Sequence, residues 1–213
     1  MDKLLLLAFA WMLYFAIHSL FASLLLKRWV AAHYPALMPY YRLTFNGLAV
    51  LLLVPPLWLI YYQPGTMIWQ WPGIWSYLMN GLALASVAGF YYSLRFYDSA
   101  EFLGFRQIRD HEIRVEDQER LCISPIHYYV RHPWYFFALV LIWTRDMTPE
   151  WLLSAALLSA YFILGSQLED RKLVAYYGEA YRVYKKRVSG VWPLPWRRLD
   201  KDQAREIESL GNQ

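Results

Sequence analysis

The run from Arg131 to Tyr135 joins cationic and aromatic side chains directly before an apolar stretch, a pattern that can bind an anionic or flat chemical group. Pro133 fits the first turn of a helix, because its missing N–H would have no partner there. The amides of such a helix start, with Arg131 and His132 beside them, attract a carboxylate or another anion. Tyr135 can stack on a flat ring or donate a hydrogen bond. The alternative is a basic–aromatic anchor at a membrane interface, and from the residues alone we slightly favour it.

Two adjacent acidic residues, Glu169 and Asp170, end a later apolar stretch. Negative charge at the C-terminal end of a helix opposes the helix dipole, so these carboxylates require a positive partner. A bound cation or a ligand ammonium would supply one, and so would the neighbouring Arg171 or Lys172. From the residues alone we favour the local salt bridge.

Aromatic residues recur after this acidic pair. Tyr177, Tyr181, Tyr184 and Val188 follow one another at three- and four-residue steps, which places them on one face of a helix, opposite a basic face. This pattern predicts an amphipathic helix at the membrane interface, with its cations near anionic headgroups. A membrane-surface helix with no further role would be sufficient to explain the pattern.

Apolar stretches dominate the rest of the chain. Of its 213 residues, 58% are hydrophobic and only 18% are charged, whereas a soluble domain is about half apolar and about a quarter charged. A run of roughly 20 apolar residues is long enough to cross a bilayer. We therefore predict an all-α integral membrane protein with about five transmembrane helices. The stretches run approximately over Lys3–Leu26, Leu43–Tyr62, Ile74–Phe96, Trp134–Trp143 and Trp151–Gly165.

Two of these stretches carry further structural signals. The fourth is short for a full span, and a turn containing Arg145, Asp146 and Pro149 separates it from the fifth. We therefore predict that helices four and five form a tight hairpin. Pro55 and Pro56 lie inside the second stretch and predict a kink there.

Basic residues favour one orientation of the helices. They cluster between the first and second helices, between the third and fourth, and after the fifth, whereas the other two loops carry only Arg145. Because cytoplasmic loops are enriched in Lys and Arg, this places the N-terminus outside and the C-terminus in the cytoplasm, in what we interpret as a bacterial inner membrane. A modest formal charge of +4, with the cations at helix ends, argues against a nucleic-acid-binding face.

The isolated histidines and the single cysteine predict no metal site and no disulfide. His18, His33 and His111 are far apart in sequence and lack the spacing of metal ligands. His18 is polar at membrane depth and is a candidate functional residue, although a hydrogen bond between helices is the simpler interpretation. Cys122 is the only cysteine, which excludes an internal disulfide framework.

The clusters above form three motifs in a fixed order. They are Arg131-His132-Pro133-x-Tyr135, Glu169-Asp170-x-x-Leu173, and Tyr177-Gly178-x-x-Tyr181-x-x-Tyr184 followed by Pro193. In this order they resemble the isoprenylcysteine carboxyl methyltransferase and phospholipid methyltransferase superfamily. The N-terminal half is similar to the methanethiol S-methyltransferase-like branch. That similarity is carried by His18-Ser19, Ala22-Ser23, Lys27, Arg42, Asn46, Asp98, Phe102, Gly104 and Gln107.

This resemblance implies a membrane-embedded methyltransferase that uses S-adenosylmethionine, with a cofactor pocket at the cytoplasmic face that opens laterally to the bilayer. It implies that Glu169 is an acidic residue of the catalytic site, and we expect Glu169 and His127 to be the candidates for the proton step. The implied cofactor-binding residues are Arg131, His132, Pro133, Trp134, Tyr135, Gln107 and Tyr181.

We predict three regions along the chain. Residues 1–96 form an N-terminal three-helix membrane region. Residues 97–195 form the cofactor-binding catalytic region, with the helical hairpin and a C-terminal cap helix. Residues 196–213 form a polar tail, which we expect to be partly disordered.

The methyl acceptor remains open at this point. Isoprenylcysteine enzymes carry an arginine one turn before the acid, where this chain has Gly165, so a prenylcysteine carboxylate would lack its expected partner. We rank a small or lipophilic thiol ahead of a lipid amine and a carboxylate. The changes at Pro125, His127 and Phe137 leave a catalytically silent relative, acting as an assembly or accessory subunit, as an alternative. An NADPH-dependent sterol-reductase-like enzyme is another.

Overall fold

Helices form nearly all of the regular structure. The computed structural model describes residues 2–113, 115 and 121–212, and this part is 76% helical and contains no β-strand. The prediction of an all-α protein is confirmed. The helices are α1 Lys3–Ala22, α2 Leu24–His33, α3 Met38–Tyr61, α4 Ile74–Ser93, α5 Ser99–Leu103, α6 Phe105–Arg109, α7 Pro133–Trp143, α8 Pro149–Arg187 and α9 Lys201–Gly211. Short 3₁₀ turns lie at Pro35–Leu37, Leu94–Phe96 and Pro125–Tyr128.

Three segments are long and apolar enough to cross a membrane: Lys3–Ala22, Pro35–Tyr61 and Pro149–Arg187. The shortest has 20 residues, which at about 1.5 Å per residue spans the roughly 30 Å of a hydrocarbon core. α7 is apolar but shorter than a full span. The protein is therefore an integral membrane protein, and the count of five spans and the hairpin stay predictions.

The first predicted helix is interrupted at Ser23, so its predicted continuation to Leu26 is wrong. α1 ends at Ala22 because Ser23 has an extended backbone, with ψ at 142°. Its hydroxyl accepts a hydrogen bond from the Leu26 N–H at 3.2 Å and caps α2, as serine commonly does at helix starts. α3, in contrast, continues through Pro55 and Pro56 without ending.

One compact unit comprises Met1–Gln70, Tyr97–Asp117 and Asp146–Leu157. Within it α1 packs against α3. The Trp11 indole donates a hydrogen bond to Ser154 Oγ at 2.9 Å. Lys3 Nζ lies 3.0 Å from the carboxylate of Glu150, which is only 4% exposed. These polar contacts join the first turns of α8 to α1.

Polar side chains of α3 anchor α5 and α6 in the same unit. Arg42 Nε and Asn46 Nδ2 donate to the Phe102 carbonyl at 3.2 and 2.9 Å, which satisfies an acceptor at the C-terminal end of α5. Gly104 then turns the chain with φ at 97°, and a Cβ there would lie 2.6 Å from the Leu43 nitrogen. Only glycine fits this turn without strain. Four of the residues that carry the N-terminal similarity thus position α5 and α6.

The second compact unit comprises Trp71–Phe96, Gln118–Arg145 and Leu158–Gln213. In this unit α4 packs against α7. The Trp134 indole donates to Ser93 Oγ at 2.7 Å, and a Cβ added at Gly89 would lie 2.7 Å from the Phe137 ring. The missing side chain at Gly89 therefore lets the Phe137 ring lie directly against α4.

α8 continues through the predicted amphipathic segment to Arg187, with a non-helical backbone at Gly178, where φ is 55° and ψ is −126°. The aromatic face of this segment packs inside the protein. Tyr181 and Tyr184 are 2% and 3% exposed. They belong to an apolar core that also contains Val188.

The C-terminal tail is folded, which corrects the prediction of a partly disordered segment. Asp200 caps α9 by accepting a hydrogen bond from the Gln203 amide at 2.8 Å, and the Gln203 side chain completes a capping box. Ala204 and Ile207 are each 1% exposed and belong to the same core as Tyr181. One narrow apolar face is enough to fix this otherwise polar helix.

Candidate functional site

Backbone hydrogen bonds hold the start of α7 against the segment after α8. Val130 pairs with Ser189 in an isolated bridge. The Arg131 N–H donates to the Ser189 carbonyl at 2.9 Å, and the His132 N–H donates to the Gly190 carbonyl at 3.0 Å. Because these bonds fix two successive residues, the directions of the Arg131 and His132 side chains are also fixed.

Asp170 is the centre of a buried ionic network in the second unit. Its carboxylate lies 2.6 Å from Arg131 Nη2, 3.1 Å from His132 Nε2 and 2.8 Å from the Tyr181 hydroxyl. Lys185 Nζ lies at 3.5 Å. Asp170 is 3% exposed, and a carboxylate so deeply buried is tolerated only when it is paired.

For Asp170, the predicted local salt bridge with Arg171 or Lys172 is wrong. Its partner is Arg131, 39 positions earlier in the chain. Arg131 also donates to the carbonyls of Lys185 and Val188. A planar guanidinium can serve several acceptors at once, so Arg131 ties the start of α7 to both the middle and the end of α8.

Glu169 is next to Asp170 but is far more open. Its side chain is 44% exposed, against 5% for Asp170. Glu169 Oε2 lies 3.3 Å from His132 Nδ1 and accepts a hydrogen bond from the Tyr135 hydroxyl at 3.3 Å. The His132 and Tyr135 rings stack with their centroids 5.5 Å apart. Glu169 therefore keeps an open edge on which another group can bind.

The two histidines near these carboxylates have opposite protonation behaviour. Burial opposes a charge on His132, but its hydrogen bonds to Asp170 and Glu169 outweigh that effect and raise its pKa. Desolvation, together with the nearby His132, lowers the pKa of His127 to about 4. His127 Nδ1 lies 2.7 Å from Ser124 Oγ. The raised pKa favours the imidazolium form of His132, whereas His127 is a neutral, weak base at neutral pH.

Pro133 and Trp134 serve the packing of α7 in this structure. Pro133 is buried at the first position of the helix, as its sequence position predicts. The Trp134 indole is hydrogen-bonded to Ser93, and its ring lies 5.3 Å from that of Phe90. Their predicted contact with a cofactor stays a prediction.

Gln107 lies in the first compact unit, apart in the chain from the other predicted site residues, which all belong to the second. Its Nε2 donates to the Glu101 carbonyl at 3.1 Å. Its Oε1 is buried and has no hydrogen-bond partner among the described residues. The predicted cofactor contact of Gln107 also stays a prediction.

An apolar cavity of about 340 Å³ lies beside the ionic network in the second unit. We did not predict it from sequence, although Pro125 and Phe137, two departures from the superfamily pattern, contribute to its wall. Val130 and Phe136, which flank the Arg131–Tyr135 run, also contribute. The lining residues are Tyr92, Pro125, Ile126, Tyr129, Val130, Phe136, Phe137 and Pro193.

The residues of the second unit fit the chemical parts of S-adenosylmethionine. The open carboxylate of Glu169 suits an ammonium group, and the Tyr135 ring beside it can stack on a flat base. Ser189 Oγ is buried beside the Arg131 backbone and has no hydrogen-bond partner among the described residues. This hydroxyl is therefore available to hydrogen-bond a bound group. Within the described residues, no group of three or more His, Cys, Asp and Glu side chains is arranged to hold a metal ion.

Comparison with curated proteins finds methanethiol S-methyltransferases. The chain is 34% identical to methanethiol S-methyltransferase 1 of Bradyrhizobium diazoefficiens over 62% of its own length, but spans only half of that relative. It is 29% identical to methanethiol S-methyltransferase 2 of the same organism, over 91% of the chain and 74% of the relative. It is 31% identical to the methanethiol S-methyltransferase of Pseudomonas deceptionensis, over 83% of the chain and 67% of the relative. No protein-family model and no solved structure match the chain.

Proposed function

This chain belongs to the methanethiol S-methyltransferase-like branch of the isoprenylcysteine methyltransferase family, and we propose that it transfers a methyl group from S-adenosylmethionine to a small thiol. The observation that carries the proposal is the network in which Arg131 and His132 bind Asp170 while His132 and Tyr135 bind Glu169. Because Tyr181 also donates to Asp170, the network joins residues of all three sequence motifs beside the open carboxylate of Glu169.

In this proposal the residues divide into those that contact the cofactor and those that position them. S-adenosylmethionine, when bound, supplies an electrophilic methyl group on a cationic sulfur. Glu169 and Tyr135 would hold its polar groups, with His132 and the backbone of Pro133 and Trp134 beside them. Arg131, Asp170 and Tyr181 are positioning residues, because their polar atoms are used by one another.

The acceptor must lose a proton, because the thiolate is the nucleophilic form of a thiol. Glu169 is our first candidate to receive that proton, since its carboxylate is open and is oriented by Tyr135 and His132. His127 is the second candidate, and its lowered pKa of about 4 makes it a weak base. The proposed roles of both residues agree with the expectations from sequence.

Gly165 favours a thiol over an anionic acceptor. A Cβ at this position would lie 3.7 Å from the Tyr135 hydroxyl, so a side chain here would border the proposed site. The glycine offers no cation to an acceptor carboxylate. A thiol needs no such partner, which supports the proposed substrate class.

We further propose that the site faces the cytoplasm, with the N-terminus outside. Support comes from the basic residues, which cluster in the segments that this orientation places inside. S-adenosylmethionine is a soluble, charged molecule, so a site at the aqueous boundary of the helices would be accessible to it.

The proposal is tested with membranes from cells that express the chain, supplied with methyl-labelled S-adenosylmethionine and methanethiol. We expect labelled dimethyl sulfide. Glu169→Gln or His132→Ala should reduce its formation by at least about 10²-fold. Glu179→Gln is the matched control, because Glu179 lies in the same helix and its side chain is 69% exposed.

Other results would contradict this function. Full turnover in both site variants would remove Glu169 and His132 from the reaction. Saturable NADPH binding without S-adenosylmethionine binding would favour a reductase, and binding of neither would favour a catalytically silent subunit.

A further inference from the structure

The apolar cavity is the strongest feature that the proposed reaction does not yet use. Its wall consists of aliphatic, proline and aromatic side chains, and its only side-chain polar atoms are tyrosine hydroxyls. Tyr92 and Tyr129 are 44% and 52% exposed, so the cavity is open at the protein surface. Such a wall binds hydrocarbon and offers little to a charged group.

Two residues of the cavity wall flank, in the sequence, the residues that contact the carboxylates. Val130 and Phe136 line the cavity, and they lie on either side of the residues that contact Glu169 and Asp170. The Phe136 N–H donates to the His132 carbonyl at 3.2 Å, which places Phe136 one helical turn from the imidazole that joins the two acids. A molecule in the cavity can therefore present one end toward the proposed reaction site.

Methanethiol is too small to need this space. At the roughly 30 Å³ that a water molecule occupies in the liquid, the 340 Å³ cavity has room for on the order of ten non-hydrogen atoms. Methanethiol has two. The surplus matches an aliphatic or aromatic chain attached to the thiol.

We propose that this cavity binds the hydrocarbon part of the methyl acceptor, and that the substrate class includes apolar thiols of the size of hexane-1-thiol or benzenethiol. The inference rests on the proposed methyltransferase function. The transfer breaks the methyl–sulfur bond of the cofactor, forms a methyl–sulfur bond on the acceptor and releases the thiol proton, so the products are a thioether and S-adenosylhomocysteine.

The test compares hexane-1-thiol with methanethiol at equal free aqueous concentrations, in membranes with methyl-labelled S-adenosylmethionine. Burial of a methylene group favours binding about fourfold, so we expect kcat/KM for hexane-1-thiol to be at least about tenfold higher. Ile126→Trp fills the cavity and should lower the ratio of the two kcat/KM values at least tenfold. Ile126→Phe, which adds less volume, should lower this ratio by a smaller factor.

Ile74→Trp is the matched control, because Ile74 is 74% exposed and does not line the cavity. It should leave the ratio unchanged. Methylation of methanethiol with rejection of hexane-1-thiol would overturn the inference and leave the proposed function intact. Loss of S-adenosylmethionine binding in both Ile126 variants would assign the cavity to the cofactor instead. If no thiol is methylated, the proposed function itself fails.

Discussion

Adjacent carboxylates in α8 differ in their surroundings, so their substitution should have different effects. The side chains of Asp170 and Arg131 are 5% and 7% exposed and 2.6 Å apart. Asp170→Asn would leave a buried guanidinium without its charge partner, which costs about 3–5 kcal/mol. We expect a clear fall in the thermal unfolding temperature of detergent-purified protein. Glu179→Gln should leave it unchanged, and equal unfolding temperatures for both variants would contradict the network.

The two histidines predict a maximum of stability near neutral pH. His132 has a raised pKa in the folded protein. Its contribution to the free energy of unfolding is therefore complete below the unfolded-state pKa of about 6.5, and it is lost as the pH rises through the higher folded-state pKa. His127 has a folded pKa of about 4, so its contribution is present above about pH 6.5 and is lost as the pH falls toward 4.

Unfolding temperatures measured from pH 4 to 9 test this expectation. His127→Gln should reduce the loss on the acid side, and His132→Gln should reduce the loss on the alkaline side. An unchanged acid limb in His127→Gln would show that another group titrates there.

The sequence predicted the residues of the network better than their pairing. Pro133 before an apolar run and acids after another are local signals, so the residues that meet in this network could be selected from the sequence. The bond between Arg131 and Asp170 joins positions 39 apart, and nothing within either motif distinguishes this partner from Arg171. Long-range pairing depends on helix packing, which one sequence does not encode locally.

At the scale of the elements, Gly104 is the position where one added carbon should do most damage. Its φ of 97° and the 2.6 Å approach to the Leu43 nitrogen both oppose a side chain. Gly104→Ala should destabilise the protein by more than about 1–2 kcal/mol, measured by thermal or denaturant unfolding. Gly47→Ala in α3 has nothing within 4 Å of the new carbon and should be neutral or stabilising. Equal stability of the two variants would contradict the anchored turn.

The docking of α9 gives a second prediction at this scale. Ile207 is 1% exposed, whereas Leu210 in the same helix is 50% exposed. Ile207→Ala should cost about 2–5 kcal/mol, and Leu210→Ala should cost far less. Limited proteolysis should cut the C-terminal segment faster in the Ile207 variant. Equal protection of both variants would mean that α9 is not part of the core.

Helix starts and ends were predictable where the signal was strong. The third stretch was predicted over Ile74–Phe96, and α4 with its following 3₁₀ turn covers the same residues. The break at Ser23 was not predicted, because its flanking residues are uniformly apolar. α9 was not predicted because most of its residues are polar and its stability comes from tertiary contact with Tyr181 and its neighbours.

For the whole molecule, the single cysteine offers a direct test of orientation. Cys122 is exposed and lies between the third and fourth predicted helices. The proposed orientation places it in the cytoplasm. A membrane-impermeant maleimide should label inverted vesicles and spare right-side-out spheroplasts, with Cys122→Ser as the unlabelled control.

Cys122 is exposed as a residue, but partial desolvation of its thiol and the nearby Glu208 raise the thiol pKa. The reaction should therefore be run at mildly alkaline pH, where more thiolate is present. Labelling of intact spheroplasts would reverse the assigned orientation. The cytoplasmic placement of the site would then be wrong as well.

The apolar cavity also has a consequence for how the protein is handled. Its surface opening and hydrocarbon wall would admit the alkyl tail of a solubilising amphiphile as readily as a substrate chain. Micellar preparations should then show competitive inhibition that deepens with tail length, and reconstitution into lipid nanodiscs should relieve it. Turnover measured in dodecyl detergents would understate what the protein does in its native bilayer.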